Sequence, residues 1–402
     1  MTLLLVALLL CYIDRTIISV AAIEMQKELG WSDSQKGYVL SMFSAGYLVM
    51  QLLGGLLSNR FGGRNVYFVA VFAWSLVTIL TPSAAYASFG ALIAARVLLG
   101  LGEGSAYPAA YNVIHGWMPV AERARSVGLL ASASAVGTVF ALLVSGKLIE
   151  LYGWPSLFYV FGAIGLLWCP VWLAKVPARG PLEQHSVEQQ TATKRSIPWK
   201  LLLLHPAVLT LYVVNFGVYS VTFLMASWLP SYFVDTFGST TTQAGLYAIA
   251  PWVALSAVTY MAGAYSDACT RRGVASLVLK KRMMLVGLGL IIFSFALLTL
   301  ELKLWMAIAL VVTIFVGFGV AIPAISTIPG ELLPRHGDIL FGFLSGSGAI
   351  GSILFVAGAG ILLDITGSYD AIFTVMAVAS AISLVAFQLF ATVDAIDRAE
   401  SE

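Results

Sequence analysis

The chain has 402 residues, of which 59% are hydrophobic and only 10% are Asp, Glu, Lys or Arg, against about 25% charged residues in an ordinary soluble domain. With a mean hydropathy of +0.91, that much apolar surface cannot be hidden inside a water-soluble particle of this size, so the solvent is lipid. Soluble enzymes, nucleic-acid binders and secreted disulfide scaffolds are excluded, and the net charge of +2 distinguishes no partner.

A helix needs about 20 apolar residues to cross the bilayer core. The apolar runs here are long and continuous rather than short and alternating, which argues against a β-barrel. In chain order they predict twelve spans, at 3–23, 35–58, 65–81, 86–114, 124–149, 155–174, 206–233, 243–266, 283–300, 304–328, 338–363 and 369–392. The first is too long for a signal-peptide core and carries charge, so a genuine helix is expected. The stretch 175–205 is polar and proline-containing and reads as a linker. The expected organisation is an N-terminal six-helix bundle (1–174), a cytoplasmic linker (175–205), a C-terminal six-helix bundle (206–393) and a cytoplasmic tail (394–402).

Of the 22 Lys and Arg, Arg15 and Arg96 lie deep within spans, and only Lys27, Lys36, Lys147 and Lys303 lie in, or at the span ends beside, loops after odd-numbered spans. The other sixteen follow even-numbered spans or lie in the tail. The positive-inside rule therefore places both termini in the cytoplasm. Cys11, Cys169 and Cys269 have no metal-type spacing and read as packing residues. His115, His185, His205 and His336 fall in the linker or near span ends, and no nucleophile elbow or phosphate loop appears.

A short pattern recurs across the halves. Gly55, Asn59, Arg60, Gly62 and Arg64 follow the second span; Gly263, Asp267 and Arg271 follow the eighth. Each has a small residue, then a carboxamide or carboxylate four steps on, then basic groups in a tight loop, suited to capping a helix end. Two ordinary basic loops are the alternative to an internal duplication, a common transporter plan.

Away from the span ends, four charges remain inside the spans: Asp14, Arg15, Arg96 and Glu103. Each costs roughly 2.5–3.5 kcal/mol at the centre of an isolated helix on insertion scales, so chance retention is disfavoured. Asp14 and Arg15 are adjacent and diverge by about 100°, so one is expected to face a cavity and the other a neighbouring helix. Tyr12 shares a face with Arg15. A guanidinium in a low-dielectric cavity is suited to clamping a carboxylate with two parallel hydrogen bonds; a structural ion pair is the alternative. Arg96 and Glu103, seven apart, share one face of the fourth span, where Gly100, Gly102 and Gly104 let another backbone approach. That pair suits a proton carrier or a structural bridge. Tyr47, Gln51, Ser132, Ser134, Asn215, Tyr219, Ser345 and Ser347 dot other spans, where such residues more often join helices than contact a ligand.

Three stretches carry a resemblance: CYIDRTIISVA in the first span, GYLVMQLLGGLLSNRFGGR through the second, and above all RVLLGLGEGSAYPAAYNVIHGWMPVAERARS through the fourth. In them the whole chain resembles the major facilitator superfamily, and within it the anion:cation symporter family. That family includes bacterial sugar-acid/proton symporters and the sialin, vesicular glutamate and organelle phosphate transporters. The resemblance implies an all-α membrane protein whose two pseudo-symmetric six-helix bundles rock about a midplane site. It implies that Arg15 binds the substrate carboxylate, that Asp14 and Glu103 are the protonatable acids with Arg96 as Glu103's partner, and that Tyr12 and Tyr47 face the substrate. Tyr219 joins this set as a candidate from the seventh span. Ser134 and Ser345 fall where sugar-acid members carry Gln and Asn, which points to a different organic anion. Asn59 replaces the usual Asp of the loop motif, so a charged contact across the helix interface is lost. The fifth span lacks the Gly-Pro signature of drug/proton antiporters.

The expectation is a secondary active transporter, not an enzyme, that moves a small organic anion with protons by alternating access. A sodium-coupled or phosphate carrier of the same fold is the alternative. Beyond the proton no cofactor is expected; the partners are the anion and the bilayer, without nucleic acid. A monomer in a bacterial inner membrane fits these expectations.

Overall fold

A computed structural model describes residues 1–177 and 198–396, and every regular element among them is an α-helix. In order these are α1 (Thr2–Leu29), α2 (Asp33–Phe61), α3 (Gly63–Ala87), α4 (Phe89–Gly104), α5 (Ala106–Trp117), α6 (Val120–Tyr152), α7 (Pro155–Lys175), α8 (Trp199–Leu204), α9 (Pro206–Phe237), α10 (Thr241–Tyr247), α11 (Ile249–Arg271), α12 (Ser276–Leu298), α13 (Leu304–Ser326), α14 (Ile328–Leu332), α15 (Gly337–Thr366) and α16 (Asp370–Phe390). Eleven single or broken helices are long and apolar enough to span a bilayer, and α2, bent by 48° between Gln51 and Leu53, makes a twelfth. Each of the twelve predicted spans falls on one of them. Most of the expected linker, with Arg179, His185, Lys194 and Arg195, lies outside the described residues, as does 397–402 with Arg398. The described end of the expected linker is helical over Trp199–Leu204, forming α8.

Local chemistry sets where these helices stop. Ser32 and Gln35 form a reciprocal capping box that starts α2. Gly62, at φ +80°, turns α2 into α3 within one residue. Three spans break where a proline four residues on cannot donate its missing N–H. Pro108 leaves the carbonyl of Gly104, the last residue of α4, without that bond. Pro251 does the same to Tyr247 at the end of α10, and Pro329 to Ile325 near the end of α13. The bend in α2 lies beside the Gly54–Gly55 pair, a common cause of kinks.

The described residues form two compact units. The first comprises 1–177 together with Ser239–Leu246; the second comprises 198–238 and 247–396. Within the first, α1 packs on α6 and α7, α2 on α4, and α3 on α4 and α7. Within the second, α9 packs on α15 and α16, α11 on α13, and α12 on α13 and α16. The two lists are one pattern repeated, and in each the fourth span is broken by proline. Indoles pin the first unit to backbone: Trp168 Nε1 donates to the Leu3 carbonyl at 3.0 Å, and Trp172 Nε1 to that of Arg64 at 3.2 Å. The Tyr67 hydroxyl donates to the Leu4 carbonyl at 3.0 Å. In the second unit Trp228 Nε1 ties α9 to the Val356 carbonyl of α15 at 3.0 Å. Buried donors in an apolar medium are satisfied here by carbonyls of neighbouring helices.

Candidate functional site

The glycines of α4 position the buried charges. A Cβ on Gly100 would overlap the Phe43 carbonyl oxygen of α2, and one on Gly104 would lie 2.8 Å from that of Tyr47. On the other side, Gly102 faces Trp74 of α3 at 3.0 Å by the same measure. Such close approach is the use of small residues expected between membrane helices. It seats Arg96 and Glu103 against α2, α3 and α1.

Glu103 is fully buried, and its Oε2 accepts from Arg15 Nε at 2.6 Å and from Cys11 Sγ at 3.2 Å. The sequence expectation paired Glu103 with Arg96, and the structure corrects it. Arg96 Nε instead donates to the Val39 carbonyl at 3.2 Å, with its guanidinium carbon 5.6 Å from the centre of the Phe43 ring. Residues seven apart rise about 10.5 Å along a helix, so each side chain finds a nearer partner on a neighbouring helix. Arg15 lies among three rings, its guanidinium carbon 4.9 Å from the centroid of Tyr12, 5.1 Å from Phe43 and 4.5 Å from Tyr47. The Tyr12 hydroxyl sits 3.4 Å from that of Tyr107.

Asp14 turns away from Arg15, as adjacency on a helix requires. It is buried, and its Oδ2 accepts from Thr78 Oγ1 of α3 at 3.2 Å. Four buried polar atoms of this cluster have no hydrogen-bond partner among the described residues: Arg15 Nη2, Glu103 Oε1, Asp14 Oδ1 and Arg96 Nη1. Arg15 keeps 17% of its side chain exposed while Glu103 has none, so Arg15 is the member of the pair that a ligand can reach.

The remaining candidates are more dispersed. Ser134 donates to the Ala131 carbonyl at 2.7 Å and Ser132 to that of Gly128 at 3.1 Å. Asn215 and Ser347 bond back to Leu211 and Leu344 in the same way. These polar groups serve their own helix rather than joining two. Tyr219 belongs to the second unit, edge-to-face on Phe318 at 5.7 Å and against Gly348 of α15. Ser345 is half-buried one turn before Gly348.

Residues 4–337 match the family model described as Major Facilitator Superfamily. The chain belongs to that superfamily. It is 33% identical over 399 residues to "Probable anion transporter 4, chloroplastic" of rice (Oryza sativa subsp. japonica), covering 96% of this chain and 66% of that protein. It is 32% identical over 401 residues to "Sodium-dependent phosphate transport protein 1, chloroplastic" of Arabidopsis thaliana, covering 96% and 77%. A bacterial homologue of the human lysosomal transporter Spinster, solved inward-facing and unoccupied, superposes with a TM-score of 0.79 at 19% identity, over 97% of this chain and 96% of that one. At that identity it supports the fold alone. The chain is thus a multi-pass integral membrane protein of the anion- and phosphate-transporter-like group. It carries a small solute and is not an enzyme.

Within this superfamily fold, the two loop patterns behave differently. Asn59 Oδ1 accepts from Asn112 Nδ2 of α5 at 3.2 Å, and Asn112 Oδ1 accepts from the Gly63 backbone at 2.9 Å. An amide at position 59 therefore still joins α2, α5 and α3. Arg64 donates to the Val176 and Leu173 carbonyls, at 2.7 and 3.3 Å, closing the C-terminal end of α7. Arg60 lies over the Phe61 ring at 5.3 Å, and Gly55 faces open space. Asp267 and Arg271 are exposed and make no hydrogen bond or ion pair among the described residues.

Sequence reasoning missed several members. Cys11, taken as packing, is a hydrogen-bond donor to Glu103. Thr78, bonded to Asp14, and Phe43, beside Arg15, lie within predicted spans where nothing in the sequence marks them. Lys36 and Lys280, assigned to loops, are buried in the helices α2 and α12. Lys280 Nζ lies 2.5 Å from Glu331 Oε1, and Ser276 Oγ donates to Oε2 at 2.9 Å. A long aliphatic stem lets a lysine near a helix end lie within the protein, and composition reads such a position as loop.

Proposed function

We propose that this chain is a proton-coupled symporter of a small organic anion, with Arg15 as the anion-binding group and Asp14 and Glu103 as proton carriers. One observation carries the reading. Arg15 spends one prong of its guanidinium on Glu103, while Nη2 is buried without a partner and the side chain is partly exposed. A guanidinium matches a carboxylate or phosphate with two parallel bonds, and its charge is worth most where water is scarce.

In this reading the anion and the Glu103 carboxylate compete for Arg15. A proton on Glu103 removes its charge and frees the fork. The anion then replaces the carboxylate, and Tyr12 and Tyr47, already packed around the guanidinium, border it. Ser134, Tyr219 and Ser345 supply uncharged contacts. Asp14, held by Thr78, takes the second proton. Loss of the proton inside restores the Arg15–Glu103 pair and expels the anion. Coupling arises because proton and anion stabilise the same state. Arg96, bonded to Val39, balances the charge of the two acids. The loops with Asn59, Arg60, Gly62 and Arg64 and with Asp267 and Arg271 gate the motion. Both termini are cytoplasmic, the protein is monomeric and the membrane is a bacterial inner membrane.

A second reading, sodium-coupled carriage of phosphate, is favoured by the name of one relative and by the small hydroxyls Ser134 and Ser345. The test is uptake of radiolabelled glutamate, gluconate and inorganic phosphate into proteoliposomes under an inward proton or sodium gradient. Accumulation of a carboxylate that follows the proton gradient supports the first reading. Accumulation of phosphate that follows sodium and ignores pH replaces it with the second.

A further inference from the structure

Away from these charges, the second unit has a groove of about 340 Å³ formed by α11 and α12, with Val320 of α13 in its wall. That volume is at the lower end of small-molecule sites, roughly 300–1,000 Å³. Its walls are aliphatic: Val258, Met261, Leu279, Met283 and Val286 line it with Val320. At one end the lining becomes polar, with Tyr265 and Arg282. Arg272, at the C-terminal end of α11, follows Tyr265 by seven residues and so lies on the same side of that helix, two turns on.

Lys280 is neutralised by Glu331, but Arg272 and Arg282 are exposed and form no ion pair among the described residues. The first unit treats the corresponding place differently. There Arg64 is spent on the carbonyls of α7. Tyr265 is 60% exposed and Val286 54% exposed, so the groove is open along its length.

We propose that this groove binds an anionic phospholipid, with one acyl chain along the aliphatic walls and the phosphate at Arg282, Arg272 and the Tyr265 hydroxyl. The occupant follows from the chemistry. The walls exclude a polar solute, the cationic end selects a negative headgroup, and the protein is surrounded by molecules that combine the two. Basic pockets between membrane helices are a recurrent way to hold such headgroups. The site is independent of the transport proposal, since none of its residues belongs to the charge cluster of the first unit.

The experiment is native mass spectrometry of the full chain in detergent, titrated with phosphatidylglycerol or phosphatidylcholine of equal chain length, with glycerol 3-phosphate as the chain-free control. Preferential retention of phosphatidylglycerol is expected, with no adduct from glycerol 3-phosphate. Arg282→Gln should weaken that retention about fivefold. Val286→Trp, at a half-exposed wall position that tolerates bulk, should block the chain and weaken both lipids. Lys303→Gln, at the exposed start of α13, should change nothing. Equal retention of the two lipids, binding of glycerol 3-phosphate alone, or full retention by Arg282→Gln and Val286→Trp would overturn the proposal. Melting curves for each variant separate loss of the site from loss of the fold.

Discussion

The first and second units pair their helices in the same pattern, yet only the first carries charge in its membrane interior. Asp14, Arg15, Arg96 and Glu103 lie on α1 and α4. In the corresponding helices of the second unit, α9 has no charged residue between Leu211 and Phe233, where Asn215 and Tyr219 lie, and α13 has none between Leu304 and Ser326. The buried charge of the second unit, Lys280, sits near a helix end and is neutralised by Glu331. The repeated helix pattern thus keeps what packing needs, small residues at crossings and prolines at breaks. It does not repeat what chemistry needs, because each extra buried charge costs several kcal/mol and persists only where it is used.

The sharpest way to break this comparison is to change the chemistry of Arg15, the partly exposed cation of the buried cluster. Arg15→Lys keeps the charge but loses the planar fork, and charge-assisted hydrogen bonds are worth about 1.5–3 kcal/mol each. Uptake in proteoliposomes should fall by about tenfold to a hundredfold while the melting temperature holds. Normal uptake would remove Arg15 from the anion site.

Glu103→Gln imitates the protonated acid. Gradient-driven accumulation should vanish, whereas exchange of labelled for unlabelled anion across the membrane should persist. If accumulation still follows an imposed pH gradient, Glu103 is not a coupling group.

The packing half of the comparison can be broken too. Gly100→Ala places a methyl on the Phe43 carbonyl, so overpacking of about 1–3 kcal/mol is expected, read as a lower melting temperature. Gly263→Ala meets nothing within 4 Å and should be neutral or stabilising by about 0.5–1 kcal/mol. Equal effects at the two sites would mean that the α2–α4 approach is not limited by glycine.

These outcomes bear on how much was legible in the sequence. The twelve crossings were, because the period of the bilayer is written in apolar run length. So were the four buried charges and the role of Gly100, Gly102 and Gly104, since each is a local departure from what lipid tolerates. The partner of Glu103 was not. Sequence spacing places Arg96 on its face, but the choice between Arg96 and Arg15 depends on how α1 lies against α4, which no local pattern encodes. Cys11 was missed for the same reason. A buried thiol is read as an apolar filler until the carboxylate beside it is seen.

The smallest expected effect tests the uncharged unit. Tyr219→Phe keeps the ring against Phe318 and Gly348 and removes only the hydroxyl. A neutral hydrogen bond contributes about 0.5–1.5 kcal/mol, so apparent affinity for the anion should fall by about twofold to tenfold. The dependence of uptake on pH should keep its shape, because no titrating group of the first unit is altered. That pairing of results, a shifted affinity with an unshifted pH profile, is what a division of labour between the units predicts. Were Tyr219→Phe instead to abolish proton-driven accumulation, coupling would extend into the second unit, and its lack of interior charge would not mean a lack of part in moving protons.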